Sequence, residues 1–139
     1  MLNLEKILPK ETQLKLVNVN YSSIDLNNED SNFTIHCQDS LETKLDKEHL
    51  SLSLLFTRNV FIKPRALFEL TVTFEAVFGI NDDYKEDIGK IDFNKEILEN
   101  GEDILMLLAS KSSLLVAQIT SASGQNPIIT PPNFIIDND

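Results

Sequence analysis

The side chains able to do chemistry in this sequence are few and scattered. Two histidines stand at positions 36 and 49, and the single cysteine is Cys37. A thiol beside an imidazole suggests a metal grip or an activated nucleophile. In a strand, however, neighbouring residues point to opposite faces, so His36 and Cys37 cannot hold one ion together. A structural zinc site also needs about four ligands at regular spacing. His36 therefore reads as a strand-edge histidine beside a core thiol, and His49 as a solvated residue of a charged turn. Asp82, Asp83, Glu86 and Asp87 lack the central glycine of a calcium loop and read as a solvated acidic connection. Glu69 and Glu75 share one strand face but stand too far apart for a catalytic carboxylate pair. No serine sits in a nucleophile elbow, and no glycine-rich loop precedes a helix to hold phosphate. The expectation is a protein that is not an enzyme, with no catalytic residue, metal or cofactor.

The elements that carry these residues form one domain. The chain has 139 residues, enough to bury roughly two-thirds of its unfolded surface. We expect a single domain over 1–139, with an N-terminal arm at 1–10 and an extended tail at 125–139. Twenty-two acids against twelve bases leave a formal charge of −10. That charge argues against nucleic-acid partners, which require a basic face, and against anionic lipid. No apolar run reaches the ~18 residues of a membrane span, so no membrane insertion is expected. Glu5 and Lys6 interrupt the first ten residues and Pro9 closes them, unlike a signal peptide. One cysteine cannot staple a monomer, which points to a reduced, cytoplasmic protein.

Strands come first and a helix afterwards. Leu14, Leu16, Val17, Val19 and Tyr21 form a run whose apolar phase switches near Leu16/Val17, predicting a bulge or a bend. After a polar loop at 27–32, Phe33, Ile35, Cys37, Leu41 and Leu45 share one parity. Leu50, Leu52, Leu54 and Phe56 alternate with polar residues in a third strand that runs through Val60 to Ile62. The fourth is the clearest: Phe68, Leu70, Val72, Phe74, Ala76 and Phe78 face one way, Glu69, Thr71, Thr73 and Glu75 the other. Such strands make an antiparallel sheet with one wet face. Helical turns are expected within 81–90 and 94–99. A long helix then runs from about Gly101 to Ser123, capped by Asn100, with Gly124 at its left-handed stop. Apolar residues cover it nearly all round at both ends, more than one sheet face can bury. A second subunit is therefore expected on Leu107, Leu108, Leu115 and Ile119. The prolines after Gly124 force an extended tail.

The segment Val116-Ala117-Gln118-Ile119-Thr120-Ser121-Ala122-Ser123-Gly124, followed by Pro127-Ile128-Ile129-Thr130-Pro131-Pro132-Asn133-Phe134, resembles the SecB family of export chaperones. That family has a similar helix end with a glycine stop and a closing Pro-x-Asn-Phe type motif. Leu52 to Phe56 and Pro64 to Phe78 are similar to its central hairpin. The resemblance implies an α+β fold: a four-stranded antiparallel sheet, with a crossover after the first strand, packed on one long C-terminal helix. It also implies a holdase that binds non-native polypeptides, including export precursors, without nucleotide hydrolysis, and that assembles as a dimer or tetramer. Candidate client-binding residues are Tyr21, Ile24, Leu26, Phe33, Phe61, Ile62 and Phe134, of which Tyr21, Phe33 and Phe61 fit the core equally well. The chain departs from the family in several places. Ser110 to Ser113 replace a proline-containing segment, and the chain ends at Asp139, where the family continues into a second helix. Asn18 and Ser22 stand where acids dock the secretion motor ATPase, leaving Glu69 as the nearest acid. The alternatives are a chaperone dedicated to one client, such as an antitoxin, and a structural adaptor oligomer.

Overall fold

Period-two alternation gives each of four strands one apolar face, and burying those faces together dictates a sheet with a covered side. The computed structural model describes residues 3–23, 34–63, 68–122 and 126–136. Strands β1 (Lys10–Ser23), β2 (Thr34–Asp46), β3 (Ser51–Lys63) and β4 (Phe68–Gly79) pair antiparallel in the order β1-β4-β3-β2. The link from β1 to β2 therefore crosses the sheet, as expected. The β1–β4 register shifts between Leu16 and Asn18, where the apolar phase switches. A second shift lies between Glu11 and Gln13. Leu50 does not begin β3. It sits in the β2–β3 turn with φ of +47°, a left-handed conformation that takes it out of the ladder. In the same turn, Asp46 accepts the His49 backbone N–H and faces the His49 ring. These two hydrogen bonds, the backbone one first, hold its carboxyl below the usual aspartate range.

Helix α1 (Leu4–Ile7) occupies the N-terminal arm, with Asn3 Oδ1 accepting from the N–H groups of Glu5 and Lys6. Leu4, Ile7 and Leu8 are buried, so the arm is part of the core. Two 3-10 turns at Asp82–Tyr84 and Ile88–Lys90 lead to α2 (Phe93–Asn100) and α3 (Glu102–Ala122). Asn100 does not cap the long helix: it is the last residue of α2, and its side chain donates to Glu96. Gly101 joins the two helices because a side chain there would collide with α2. A Cβ at Gly101 would lie 2.8 Å from the Ile97 carbonyl oxygen. Gly124 lies outside the described residues. By length and composition α3 could cross a membrane, but its buried face seats on the sheet through Leu105, Leu108, Ala109, Ser112, Val116 and Thr120.

The core has two apolar parts. One gathers Leu52, Leu54, Phe56, Ala76 and Phe78 beneath α1, α2 and the first half of α3. The other gathers Val60, Phe68, Leu70 and Val72 beneath Val116. On β3 the residue between Phe56 and Val60 that faces the same way is Arg58, and it is fully buried.

Candidate functional site

Arg58 pairs in register with Asp39 across β2 and β3. Its Nε and Nη2 donate to the two Asp39 carboxylate oxygens, each at 2.8 Å. Neither side chain is exposed at all. A charge so deep is tolerated only when paired and fully hydrogen-bonded, and this one is. Nη1 donates to Ser113 Oγ at 2.8 Å, to Thr130 Oγ1 at 2.9 Å and to the Pro131 carbonyl at 2.7 Å. Nη2 also reaches the Asn133 carbonyl at 2.8 Å. Asp39 in turn accepts the Ile135 backbone N–H at 2.8 Å and gives its own N–H to the Ile135 carbonyl.

This polar centre binds the tail to the sheet. Residues 126–136 form neither helix nor strand and bend at Pro132 and Asn133, and the order of the contacts runs antiparallel to α3. Thr120 Oγ1 accepts the Ile128 N–H at 2.9 Å, and seven residues earlier on the helix Ser113 Oγ donates to the Thr130 carbonyl at 2.9 Å. Thr120 itself is fully buried.

Beside the tail lies a groove of about 740 Å³. One wall is Ile35, Cys37, Ile62 and Phe68 from three strands. The other is the tail from Asn126 to Pro131. None of these lining residues is charged. Ile35 and Ile129 are the exposed edges, 51% and 79% accessible. A smaller pocket of about 250 Å³ lies between α2, α3 and Phe134, with Leu98, Leu105 and Met106 inside and Glu99 and Glu102 among its lining residues.

The structure disperses the sequence-derived site residues. Ile62 lines the groove, but Phe61, next to it on β3, faces the outer side and stacks on His36 with ring centroids 5.5 Å apart. That pairing also confirms that His36 and Cys37 face opposite ways. Tyr21 packs on Phe68 at 6.2 Å, and Phe134 meets Phe56 edge-on at 6.0 Å, so both serve the core. Ile24, Leu26 and Phe33 lie outside the described residues. Glu69 is exposed on the outer face opposite Ser22, with Asn59 donating to it. Of the expected interface residues only Leu107 is exposed. Leu108 is fully buried against the sheet, a correction that follows from its place on the same helix face as Leu105 and Ser112, and Leu115 and Ile119 are partly buried against the second apolar part. Among the described residues, no group of three or more histidine, cysteine or acidic side chains could hold a metal.

Sequence reasoning missed Asp39 and Arg58. The signal was present: each carries a charge at a core parity position, Asp39 between Cys37 and Leu41, Arg58 between Phe56 and Val60.

No family model matches this chain, and no curated protein sequence does either. Among solved structures, a protein of unknown function from Streptococcus agalactiae is similar over 88% of this chain and 95% of its own, at 13% identity and a TM-score of 0.45. The SecB-like chaperone Rv1957 of Mycobacterium tuberculosis, solved in complex with a ChAD peptide from the HigA1 antitoxin, aligns over 88% of both chains with a TM-score of 0.61 and 10% identity. At that identity the likeness is one of fold, and the fold of this chain is SecB-like.

Proposed function

We propose that this protein is a cytoplasmic holdase of SecB-like fold that takes short, extended, apolar segments of non-native polypeptides into the groove between the tail and the sheet, without nucleotide hydrolysis. The observation that carries this reading is the groove itself: about 740 Å³, lined without charge, and bounded by strands on one side and the tail on the other. Such a channel suits a client main chain with alternating side chains, because apolar burial is non-directional and tolerates many sequences. That the M. tuberculosis chaperone of similar fold is seen with an antitoxin peptide favours a second form of the same reading, a chaperone dedicated to one such client.

The test is fluorescence anisotropy of a labelled, permanently unfolded polypeptide titrated with the protein. Ile62→Asp places a carboxylate in the apolar wall, and desolvating it on client binding costs enough to weaken affinity by at least about tenfold. Equal binding by wild type and variant overturns the groove as the site. No binding by the wild type leaves an adaptor role instead. A broad set of unrelated unfolded chains bound alike marks a general holdase, whereas one antitoxin segment bound far more tightly marks a dedicated chaperone.

The holdase acts as a homo-oligomer, a dimer or tetramer. Leu16 and Val19 on β1, at the sheet edge, are 45% and 41% exposed, and Leu107 and Leu114 on α3 are 38% and 59% exposed. Large apolar side chains gathered on one edge strand and one helix suit a second copy, and two-fold pairing is the common solution. Light scattering should return a mass above the 15.7 kDa of the monomer. Because Leu114 is already largely exposed, Leu114→Asp should produce folded monomers. A wild type of monomer mass at micromolar concentration contradicts the assembly. On the outer face the exposed Glu69 is the acid proposed to meet the secretion motor ATPase.

A further inference from the structure

Burial holds only part of the groove's second wall: Ile128 packs against the second apolar part and Thr130 is buried. Ile129 is almost fully exposed, and Asn126, Pro127 and Pro131 are exposed as well. Two sets of hydrogen bonds to buried groups hold the stretch on either side of these exposed residues. At one end the Ile128 N–H is held by Thr120. At the other, Thr130, Pro131 and Asn133 converge on the Arg58 guanidinium, and Ile135 is clasped from both sides by Asp39.

We infer that the buried Asp39–Arg58 pair is a positioning device for the client groove, fixing the tail in the one register that sets Ile128 to Pro131 opposite Ile62 and Phe68. The inference rests on the proposed function and adds to it the group that determines groove width. The chemistry suits the task. Asp39 occupies the Nε side of the guanidinium in a bidentate fork, which fixes the plane of the group. The remaining donors then point at tail oxygens in a set geometry. Lysine, with three donors on a flexible stem, cannot hold the carboxylate fork and the carbonyls of Pro131 and Asn133 together. The pair is also an expensive way to fill a core, because well-packed apolar residues are often as stable or more so. What an apolar pair cannot do is receive the tail's main-chain oxygens. A wall held in this way is pre-organised, so a client need not order it on binding.

The decisive variant spares the ion pair. Ser113→Ala with Thr130→Val removes both hydroxyls that join Arg58 to the tail and helix, while leaving Asp39, Arg58 and the apolar core intact. A second variant, Arg58→Lys, keeps the charge and loses the fork. Two readouts are taken together well below the melting temperature. The first is hydrogen exchange at the amides of Ile128, Thr130 and Ile135, and the second is the affinity for the labelled unfolded polypeptide used above. In the double variant the tail amides should exchange faster and the affinity should weaken by about tenfold, the cost of ordering roughly one loosened residue. Arg58→Lys should shift both further in the same direction. A merely structural role would lower the melting temperature yet leave the affinity of the folded variant unchanged. Faster exchange with equal or tighter binding overturns the inference alone, as does unaltered exchange. A wild type that binds no unfolded chain overturns the proposed function and this inference with it.

Discussion

Replacing Arg58 with methionine should destabilise the fold by ~3–5 kcal/mol, the usual cost of leaving one member of a buried ion pair without its partner. The loss has two sources. Asp39, with no exposed side-chain surface, would keep only the Ile135 N–H as its hydrogen-bond donor among the bonds described above. The Asn133 carbonyl would lose its guanidinium donor and the Pro131 carbonyl would keep only Ser113, and a hydrogen bond to a charged group is worth about 1.5–3 kcal/mol. The tail can recover its share by peeling into water, which turns a stability loss into a loss of the groove wall. Asp39→Asn should cost about as much, because the amide keeps an acceptor for Nε but leaves the buried guanidinium without its counter-charge. A double-mutant cycle with Asp39→Leu and Arg58→Met separates the sources. The double variant should be less destabilised than the sum of its singles, since no lone charge remains, yet still less stable than wild type because the tail loses its bonds to the guanidinium. The measurement is urea denaturation with near- and far-ultraviolet circular dichroism. A loss below about 1 kcal/mol for Arg58→Met would show that the cluster is solvated and holds nothing in place.

The sheet was legible because its information is local. Strict alternation from Phe68 to Phe78 sets which face is buried whatever lies elsewhere, and the phase switch at Leu16/Val17 marks an irregularity that the pairing with β4 displays. The long helix was legible for a similar reason, and its extent, Glu102–Ala122, falls within a residue or so of expectation. Its start was misassigned at Asn100 because a capping side chain and a close approach of backbones are different signals. The glycine next to it is required by contact with Ile97, which propensity does not reveal. The site was less legible because it is built by pairing across distant segments. Asp39, Arg58, Ser113 and Thr130 come from two strands, a helix and the tail, and no spacing in the chain links them. What the sequence did show was two charges breaking an apolar parity. Only the register that sets residue 39 opposite residue 58 turns those two exceptions into one ion pair. Phe61 and Ile62 teach the converse. Neighbours at a strand end cannot both serve one groove, since alternation sends them to opposite faces.

Phe56→Ala should cost ~3–5 kcal/mol, the range for deleting a buried aromatic ring and leaving a cavity, and should lower the melting temperature by roughly 10–20 °C. Phe74, its partner across β3 and β4, also stands on the apolar face of its strand, but the two differ in cover. Phe56 is fully buried, in the middle of the larger apolar part. Phe74 is only partly buried, and it pairs on its other side with Leu16 at the sheet edge, itself 45% exposed. Phe74→Ala should therefore cost clearly less than Phe56→Ala in the isolated subunit, unless assembly covers that edge. Phe56 also reaches the tail, since its ring meets Phe134 edge-on and lies beneath the Arg58 guanidinium at 5.7 Å. Its loss should loosen the tail as well as the sheet. Phe134→Ala is then expected to reproduce only that second part: faster exchange at Ile135 with a smaller loss of global stability. Equal costs for Phe56→Ala and Phe74→Ala in a monomeric background would place the two rings in equivalent surroundings and contradict the core described here.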